Sequence, residues 1–132
     1  MILLDTSVLI ELYRKKNKEK TLFYRLAEYE TDFSISSVTH YEIGIGNKSF
    51  ADHYLQTLFA SLVVVPLDKS CSITAIDIYL DLKKKNKLID LADLLIGATA
   101  VTFQYPIATL NRKHFERIPG ISIIELDDLK KI

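Results

Sequence analysis

The chain has 132 residues, with 17 basic and 17 acidic side chains and a formal net charge of zero. This balance excludes a general electrostatic attraction to nucleic acid or membranes, so a nucleic-acid partner would have to bind at a local basic patch. The length predicts one domain over residues 1–132, and 48% hydrophobic with 26% charged residues is typical of a globular protein.

The predicted elements alternate along the whole chain. In chain order they are a strand at 1–4, helices at 7–15 and 19–29, a strand at 32–36, helices at 37–46 and 49–60, a strand at 62–66, helices at 69–85 and 90–103, and strands at 106–109 and 121–126. The strands are continuously apolar rather than alternating. This pattern predicts an α/β protein whose mainly parallel sheet is covered by helices on both faces.

Compartment signals are few. Cys71 is the single cysteine, so an internal disulfide is impossible and a reducing compartment is favoured. The N-terminus lacks the basic region of a signal peptide, and Asp5 interrupts its apolar start. The longest apolar stretch, 91–101, is far shorter than the roughly 20 residues of a membrane-spanning helix. We therefore expect a cytoplasmic protein that does not contact a membrane.

Three acidic residues lie in or beside apolar sequence. Asp5 follows the first strand, and Glu42 lies beside the apolar stripe of its helix. Asp93 shares a face of a nearly all-apolar helix with Gly97, which we expect to allow a close approach such as an acid-lined cleft. Because burying an unpaired carboxylate costs several kcal/mol, each of these acids needs a partner or a cation.

Each acid also has a purely structural interpretation. Asp5 is a good helix N-cap, and Asp93 at the third helical position after Asp90 stabilises a helix start. Glu42 can extend from the edge of its stripe to solvent. The combination favours a shared site, because parallel strands end at one edge of the sheet and clustered carboxylates need a cation. Oxygen ligands favour Mg²⁺ or Mn²⁺ over zinc. Thr6 or Ser7 would then cap the first helix.

Four segments, in order, resemble the PIN-domain nucleases and more narrowly the VapC-type toxins of toxin–antitoxin pairs. They are LLDTSVLI at 3–10, SSVTHYEIGIG at 36–46, DLLIGATAV at 93–101 and IATLNRKHF at 107–115, which is followed by IPGI. The resemblance runs from residue 1 to about residue 124. It implies a three-layer α/β/α sandwich and metal-dependent hydrolysis of RNA phosphodiester bonds.

The resemblance also implies roles for individual residues. Asp5, Glu42, Asp93 and, more weakly, Asn111 match the catalytic positions, while Thr6 and Thr109 match positions that line the site. Asp5 and Asp93 would hold Mg²⁺ (or Mn²⁺), which polarises the phosphate and lowers the pKa of a bound water. Glu42 would take that water's proton or hold a second ion, and Asn111 would orient a water or phosphate oxygen.

Implied partners are an RNA substrate, a cognate antitoxin and a second copy of the chain. Arg112 and Lys113 are the best candidates for phosphate contacts, although basic runs are also common at solvated helix ends. The antitoxin would pack along an apolar groove for which the first two helices offer Tyr13, Leu22, Phe23, Leu26 and Tyr29. Core packing is the alternative for most of these five side chains.

Two positions depart from the family pattern. Leu110 replaces a basic residue found in many members, and His114 replaces an acid. We interpret His114 as a solvated surface residue. The loss of a basic residue at position 110 leaves an alternative function open, a non-catalytic PIN-like module that binds RNA or an antitoxin.

Overall fold

The computed structural model describes residues 1–46 and 53–130. The strands are β1 (Ile2–Leu4), β2 (Phe33–Ser36), β3 (Val63–Val65) and β4 (Ile107–Ala108). The helices are α1 (Thr6–Arg14), α2 (Leu22–Ala27), α3 (Ser37–Ile45), α4 (His53–Ser61), α5 (Lys69–Lys84), α6 (Leu91–Phe103), α7 (Arg112–Phe115) and α8 (Leu126–Lys130), with a 3₁₀ turn at Lys18–Lys20. Residues 49–52 of the predicted helix 49–60 lie outside the described residues.

The four strands form one parallel sheet in the order β3-β2-β1-β4. β1 therefore lies in the interior of the sheet, with Leu3 paired to Ser34 on β2 and to Ile107 on β4. The predicted α/β class with a parallel sheet is confirmed. Because all four strands run the same way, their carboxyl ends meet at one edge, and the residues after β1 and β4 become neighbours there.

Alternate residues of β1 face two separate hydrophobic clusters. Leu3 packs with residues of α5 and α6, such as Leu82 and Ile96. Ile2 and Leu4 pack on the opposite side with residues of α1 and α2. Helices thus cover both faces of the sheet, which confirms the predicted three-layer arrangement. Within the described ranges 1–46 and 53–130, no helix combines the length and the apolar composition that crossing a bilayer requires.

β3 differs from the fully buried strand that its sequence predicts. It lies at the edge of the sheet, with Val63 52% and Val64 39% exposed, and only Val65 is buried. A run of three valines is favoured in a strand whether or not both of its faces are covered. The apolar run therefore predicted the strand correctly and its burial incorrectly.

The predicted strand at 121–126 is wrong. Ile123 makes a single parallel bridge to Ile107, and the chain turns into α8 at Leu126. The Ile107 N–H donates to the Ser122 carbonyl, and Ile107 accepts from the Ile124 N–H. β4 is two residues long, so it offers this segment too few backbone groups for a ladder.

The predicted helix at 19–29 is interrupted near its start. Thr21 is buried, and its hydroxyl donates to the Lys18 carbonyl (2.6 Å) and accepts from the Tyr24 N–H (3.4 Å). This cap ends the 3₁₀ turn and begins α2, because a side-chain acceptor satisfies one of the free N–H groups of the new helix.

Candidate functional site

Asp5 lies at the carboxyl end of β1, directly before α1. Its backbone N–H donates to the Ala108 carbonyl (2.9 Å), which joins it to the end of β4. The side chain is 1% exposed. Oδ2 accepts hydrogen bonds from Ser7 Oγ (2.7 Å) and Thr109 Oγ1 (2.9 Å). Oδ1 is buried and has no hydrogen-bond partner within the described part of the chain.

Burial raises the pKa of the Asp5 carboxyl, because desolvation penalises its charged form. The negative charge of Asp93 raises this pKa further, while the hydrogen bonds from Ser7 and Thr109 lower it. The two acids are therefore close enough to interact. A positive charge beside the free Oδ1 would offset both the burial and the repulsion.

The helix-cap interpretation of Asp5 is half correct. Asp5 occupies the N-cap position of α1, but its side chain makes no capping hydrogen bond. The expectation that Thr6 or Ser7 caps the helix instead is wrong. Ser7 Oγ donates to Asp5 and accepts from the Leu110 N–H (3.0 Å), and Thr6 Oγ1 donates to Glu42. Both hydroxyls hold the site together rather than the helix end.

A chain of hydroxyl groups leads to Glu42. Thr6 Oγ1 donates to Glu42 Oε1 (2.8 Å) and contacts Thr39 Oγ1 (2.9 Å), which accepts from Ser36 Oγ (3.3 Å). Because the single Thr6 proton goes to the carboxylate, Thr39 donates to Thr6. Ser36 and Thr39 are fully buried. Neither residue is among those predicted from the sequence, although Thr39 precedes Glu42 by one helical turn, a spacing that places them on one face.

Asp93 is the third residue of α6 and pairs with His114 of α7. His114 Nδ1 lies 2.9 Å from Asp93 Oδ2, and the two side chains are 51% and 15% exposed, respectively. The interpretation of His114 as a solvated surface residue misses this contact. No sequence signal places positions 93 and 114 together, because the contact depends on how α7 packs against α6.

The packing of α7 against α6 depends on Gly97. The close approach expected at this glycine is confirmed, but two apolar side chains make it rather than an acid-lined cleft. A Cβ at Gly97 would lie 2.3 Å from Ile118 Cδ1 and 3.6 Å from Phe115 Cδ1. Phe115 and Ile118 are both buried. The glycine therefore admits these two side chains against α6. This contact fixes α7 and so holds His114 beside Asp93, which lies one helical turn before Gly97 on α6.

Thr109 connects Asp5 to the start of α7. Its hydroxyl donates to Asp5 and accepts from the Asn111 N–H (2.9 Å), so the exposed Asn111 lies next to the site. The predicted phosphate contacts differ from each other. Arg112 forms ion pairs with Glu116 (3.5 Å) and Glu125, whereas Lys113 is exposed.

The structure gathers the predicted site residues only in part. It brings Asp5, Thr109 and Asn111 together, places Asp93 within electrostatic reach of Asp5, and links Glu42 through Thr6. Among residues 1–46 and 53–130, no three His, Cys, Asp or Glu side chains could hold one metal ion together. Asp5, Glu42 and Asp93 therefore do not act as three ligands of one ion, and the predicted pair of metal ligands, Asp5 and Asp93, stays a prediction.

A site of two carboxylates nevertheless fits a divalent cation. Mg²⁺ usually keeps several waters and is held by one or two protein carboxylates. Asp5 offers a buried oxygen without a hydrogen-bond partner among the described residues, and Asp93 adds a second negative charge nearby. The donors are oxygens, which suit Mg²⁺ and Mn²⁺.

Comparison with known proteins agrees with this architecture. A family model for the PIN domain matches residues 2–121. Ribonuclease VapC1 of Methanocaldococcus jannaschii is 38% identical over 118 residues, which cover 89% of this chain and 80% of that protein. The chain belongs to the PIN domain family and, within it, to the VapC-type ribonucleases.

Solved structures share the fold. DNA-bound VapBC from Salmonella typhimurium matches with a TM-score of 0.80 at 28% identity, covering 95% of this chain and 97% of the other. VapBC2 from Rickettsia felis, bound to a DNA fragment from its promoter, matches with a TM-score of 0.77 at 25% identity over 94% and 98% of the two chains. The resemblance identified from the sequence motifs is confirmed.

Proposed function

We propose that this chain is a divalent-metal-dependent endoribonuclease and the toxin of a toxin–antitoxin pair. The observation that supports the proposal most strongly is the environment of the Asp5 carboxylate. It is buried at the carboxyl end of a parallel strand, has one oxygen without a hydrogen-bond partner among the described residues, and is repelled by Asp93. The M. jannaschii relative is named a ribonuclease, and this arrangement suits the same chemistry.

Asp5 and Asp93 would hold the cation. When bound, it would neutralise both carboxylates and stabilise the negative charge that develops on the phosphate. Ser7 and Thr109 fix Oδ2 of Asp5, which leaves Oδ1 as the free ligand atom. Thr6 orients Glu42, whose half-buried carboxylate would accept the proton of the attacking water.

The end of β4 would position the substrate. Asn111 is exposed beside Thr109, and its amide can orient a water or a phosphate oxygen without adding charge. Lys113 is the better phosphate contact of the predicted pair. Arg112 would first have to break its ion pairs with Glu116 and Glu125 before it could bind a phosphate. RNA binding through a few local cations agrees with the zero net charge of the chain.

A groove beside the site offers a surface for an antitoxin. It has a volume of about 660 Å³ and runs between α1 and α3, with the lining residues Thr6, Ile10, Tyr13, Arg14, Glu42, Ile43, Ile45 and Gly46. Thr6 and Glu42 belong to the site, so a segment that fills this groove would reach it. Of the side chains predicted for such a groove, Tyr13 lines it, whereas Phe23 and Leu26 lie in the core. The VapBC neighbours from S. typhimurium and R. felis support an antitoxin as the occupant.

A second depression suits another copy of the chain. It measures about 450 Å³ and is lined by Ser37, Val38, Tyr41, Glu42, Leu67, Leu91, Ala92 and Leu95. Tyr41 and Leu91 are 65% and 70% exposed. Large exposed apolar side chains around one depression favour a protein interface. Glu42 lines both surfaces, so a homodimer formed here would place its two acidic sites next to the interface.

RNA cleavage by the purified protein tests the proposal. We expect Mg²⁺-dependent cutting of a single-stranded RNA that EDTA abolishes. Asp5→Asn and Asp93→Asn should each lose roughly 100-fold or more, because the cation supplies several kcal/mol and ~1.4 kcal/mol is a factor of ten. Asp81→Asn is a matched control, since Asp81 lies in a helix, as Asp93 does, and its carboxylate pairs with Lys85.

Two outcomes would contradict the nuclease. One is cleavage that survives EDTA, and the other is equal cleavage by the wild type and both site variants. If millimolar Mg²⁺ or Mn²⁺ does not bind while RNA or an antitoxin still does, the chain is the non-catalytic binding module. Leu110, which stands where many members of the family carry a basic residue, is the feature that favours this alternative.

A further inference from the structure

We infer that His114 is a positioning residue that fixes the carboxylate of Asp93 for cation binding. The inference rests on the proposed metal site. His114 Nδ1 lies 2.9 Å from Asp93 Oδ2. Because an ionised carboxylate only accepts hydrogen bonds, Nδ1 carries the hydrogen in this contact. The bond occupies Oδ2 and leaves Oδ1 of Asp93 to face a ligand.

The three acidic side chains share one feature, a carboxylate oxygen that accepts a hydrogen bond from a neighbouring side chain. Asp5 accepts from Ser7 and Thr109, and Glu42 accepts from Thr6. In each case one carboxylate oxygen is held by a donor. Among the described residues, His114 is the donor that Asp93 has. Removing a residue that holds a metal-binding carboxylate in place typically lowers metal affinity by roughly 10–100-fold.

The fold delivers this donor through packing rather than through sequence proximity. Asp93 and Gly97 lie one turn apart on α6, and Gly97 leaves the space that Phe115 and Ile118 fill. Phe115, which directly follows His114, is fully buried. The backbone of position 114 is therefore fixed, although its imidazole is half exposed. A fixed backbone and an exposed ring suit a residue that orients a ligand at the mouth of a site.

Calorimetric titration of Mn²⁺ into the full-length protein tests the inference. Mn²⁺ is the probe because oxygen sites bind it in place of Mg²⁺. We expect His114→Ala to weaken binding about 10–100-fold. We expect His114→Asn to stay within about threefold of the wild type, because an Asn amide can donate from nearly the position of Nδ1. His53→Ala, at an exposed histidine on α4, should leave affinity unchanged, and thermal unfolding should show that all variants are folded.

Equal Mn²⁺ affinity of His114→Ala and the wild type would overturn the positioning role. Equal weakening in His114→Ala and His114→Asn would also overturn it, since the imidazole would then be a direct ligand. A wild-type protein that binds no Mn²⁺ would overturn the metal site itself and the inference with it. The three results therefore distinguish the failure of the inference from the failure of the proposed function.

Discussion

The carboxylate of Asp5 is costly to bury in the metal-free protein. It is 1% exposed, and one of its oxygens lacks a hydrogen-bond partner among the described residues. An unsatisfied buried polar group costs about 1–3 kcal/mol, and a charged one costs more. A fold that retains such a group retains strain that a cation would relieve. Stability and cation binding should therefore change in opposite directions when Asp5 is replaced.

Asp5→Asn should stabilise the metal-free protein at pH 7 by roughly 1 kcal/mol, because the variant has no buried charge. The folded-state pKa of Asp5 is raised above 3.8. The stability that the protonated form contributes is therefore complete below pH 3.8 and is lost as pH rises through the folded pKa. Thermal unfolding against pH should show the two proteins converge in acid, and Mg²⁺ should stabilise the wild type alone. A variant that is less stable than the wild type at pH 7 would contradict this account.

Thr6→Val should lower RNA cleavage roughly 10- to 100-fold, because it removes the hydrogen bond that orients Glu42. A hydrogen bond to a charged group is worth about 1.5–3 kcal/mol, and ~1.4 kcal/mol is a factor of ten. Thr6→Ser keeps the hydroxyl and should cleave almost as fast as the wild type. If the Val and Ser variants have equal rates, the hydroxyl chain from Ser36 to Glu42 serves packing alone.

The position of α7 against α6 depends on the absence of a Cβ at Gly97. Gly97→Ala should destabilise the protein by roughly 1–2 kcal/mol. Overpacking against buried Ile118 costs about 1–3 kcal/mol, and the helix propensity of Ala returns up to ~1 kcal/mol. Ile118→Val removes the Cδ1 atom that the new Cβ would meet. The double variant should therefore be more stable in urea unfolding than Gly97→Ala alone. Strictly additive effects of the two changes would contradict this contact.

The elements differ in how well the sequence predicts them. β1 and α6 follow from continuous apolar runs bounded by Asp5 and Asp90, and their boundaries agree to within one residue. The segment 121–126 is also largely apolar but makes one bridge, because its partner β4 is two residues long. Local pattern predicts what a segment prefers, whereas the length of its neighbour decides whether a ladder forms.

The contacts of the site also differ in how well the sequence predicts them. Asp5 and Thr109 are predictable, since both follow parallel strands that end at the same edge. The contact of Asp93 with His114 is not, because it depends on the fit of Ile118 against Gly97. The sequence pattern predicts where a strand ends. It does not predict how closely a helix packs against its neighbour.

The exposed apolar side chains distinguish two faces of the molecule. Tyr41 and Leu91 border the depression beside Glu42, whereas Ile76 and Leu80 lie on the outer side of α5. For the proposed homodimer, we expect sedimentation equilibrium to show a dimer for the wild type and a monomer when both Tyr41 and Leu91 are replaced by Glu. Replacing both Ile76 and Leu80 by Glu is the matched control and should still give a dimer. The reverse result would place the interface on α5.

The proposed nuclease activity requires that Asp5 and Asp93 hold a divalent cation on which RNA cleavage depends. The most direct test measures the initial rate of cleavage of one RNA as a function of Mg²⁺ concentration, for the wild type and for Asp93→Asn. We expect a saturable Mg²⁺ dependence in the wild type and, in the variant, a rate lower by roughly 100-fold at saturation. A wild-type rate that does not change with Mg²⁺, or an Asp93→Asn curve that equals the wild-type curve, would contradict this metal-dependent mechanism.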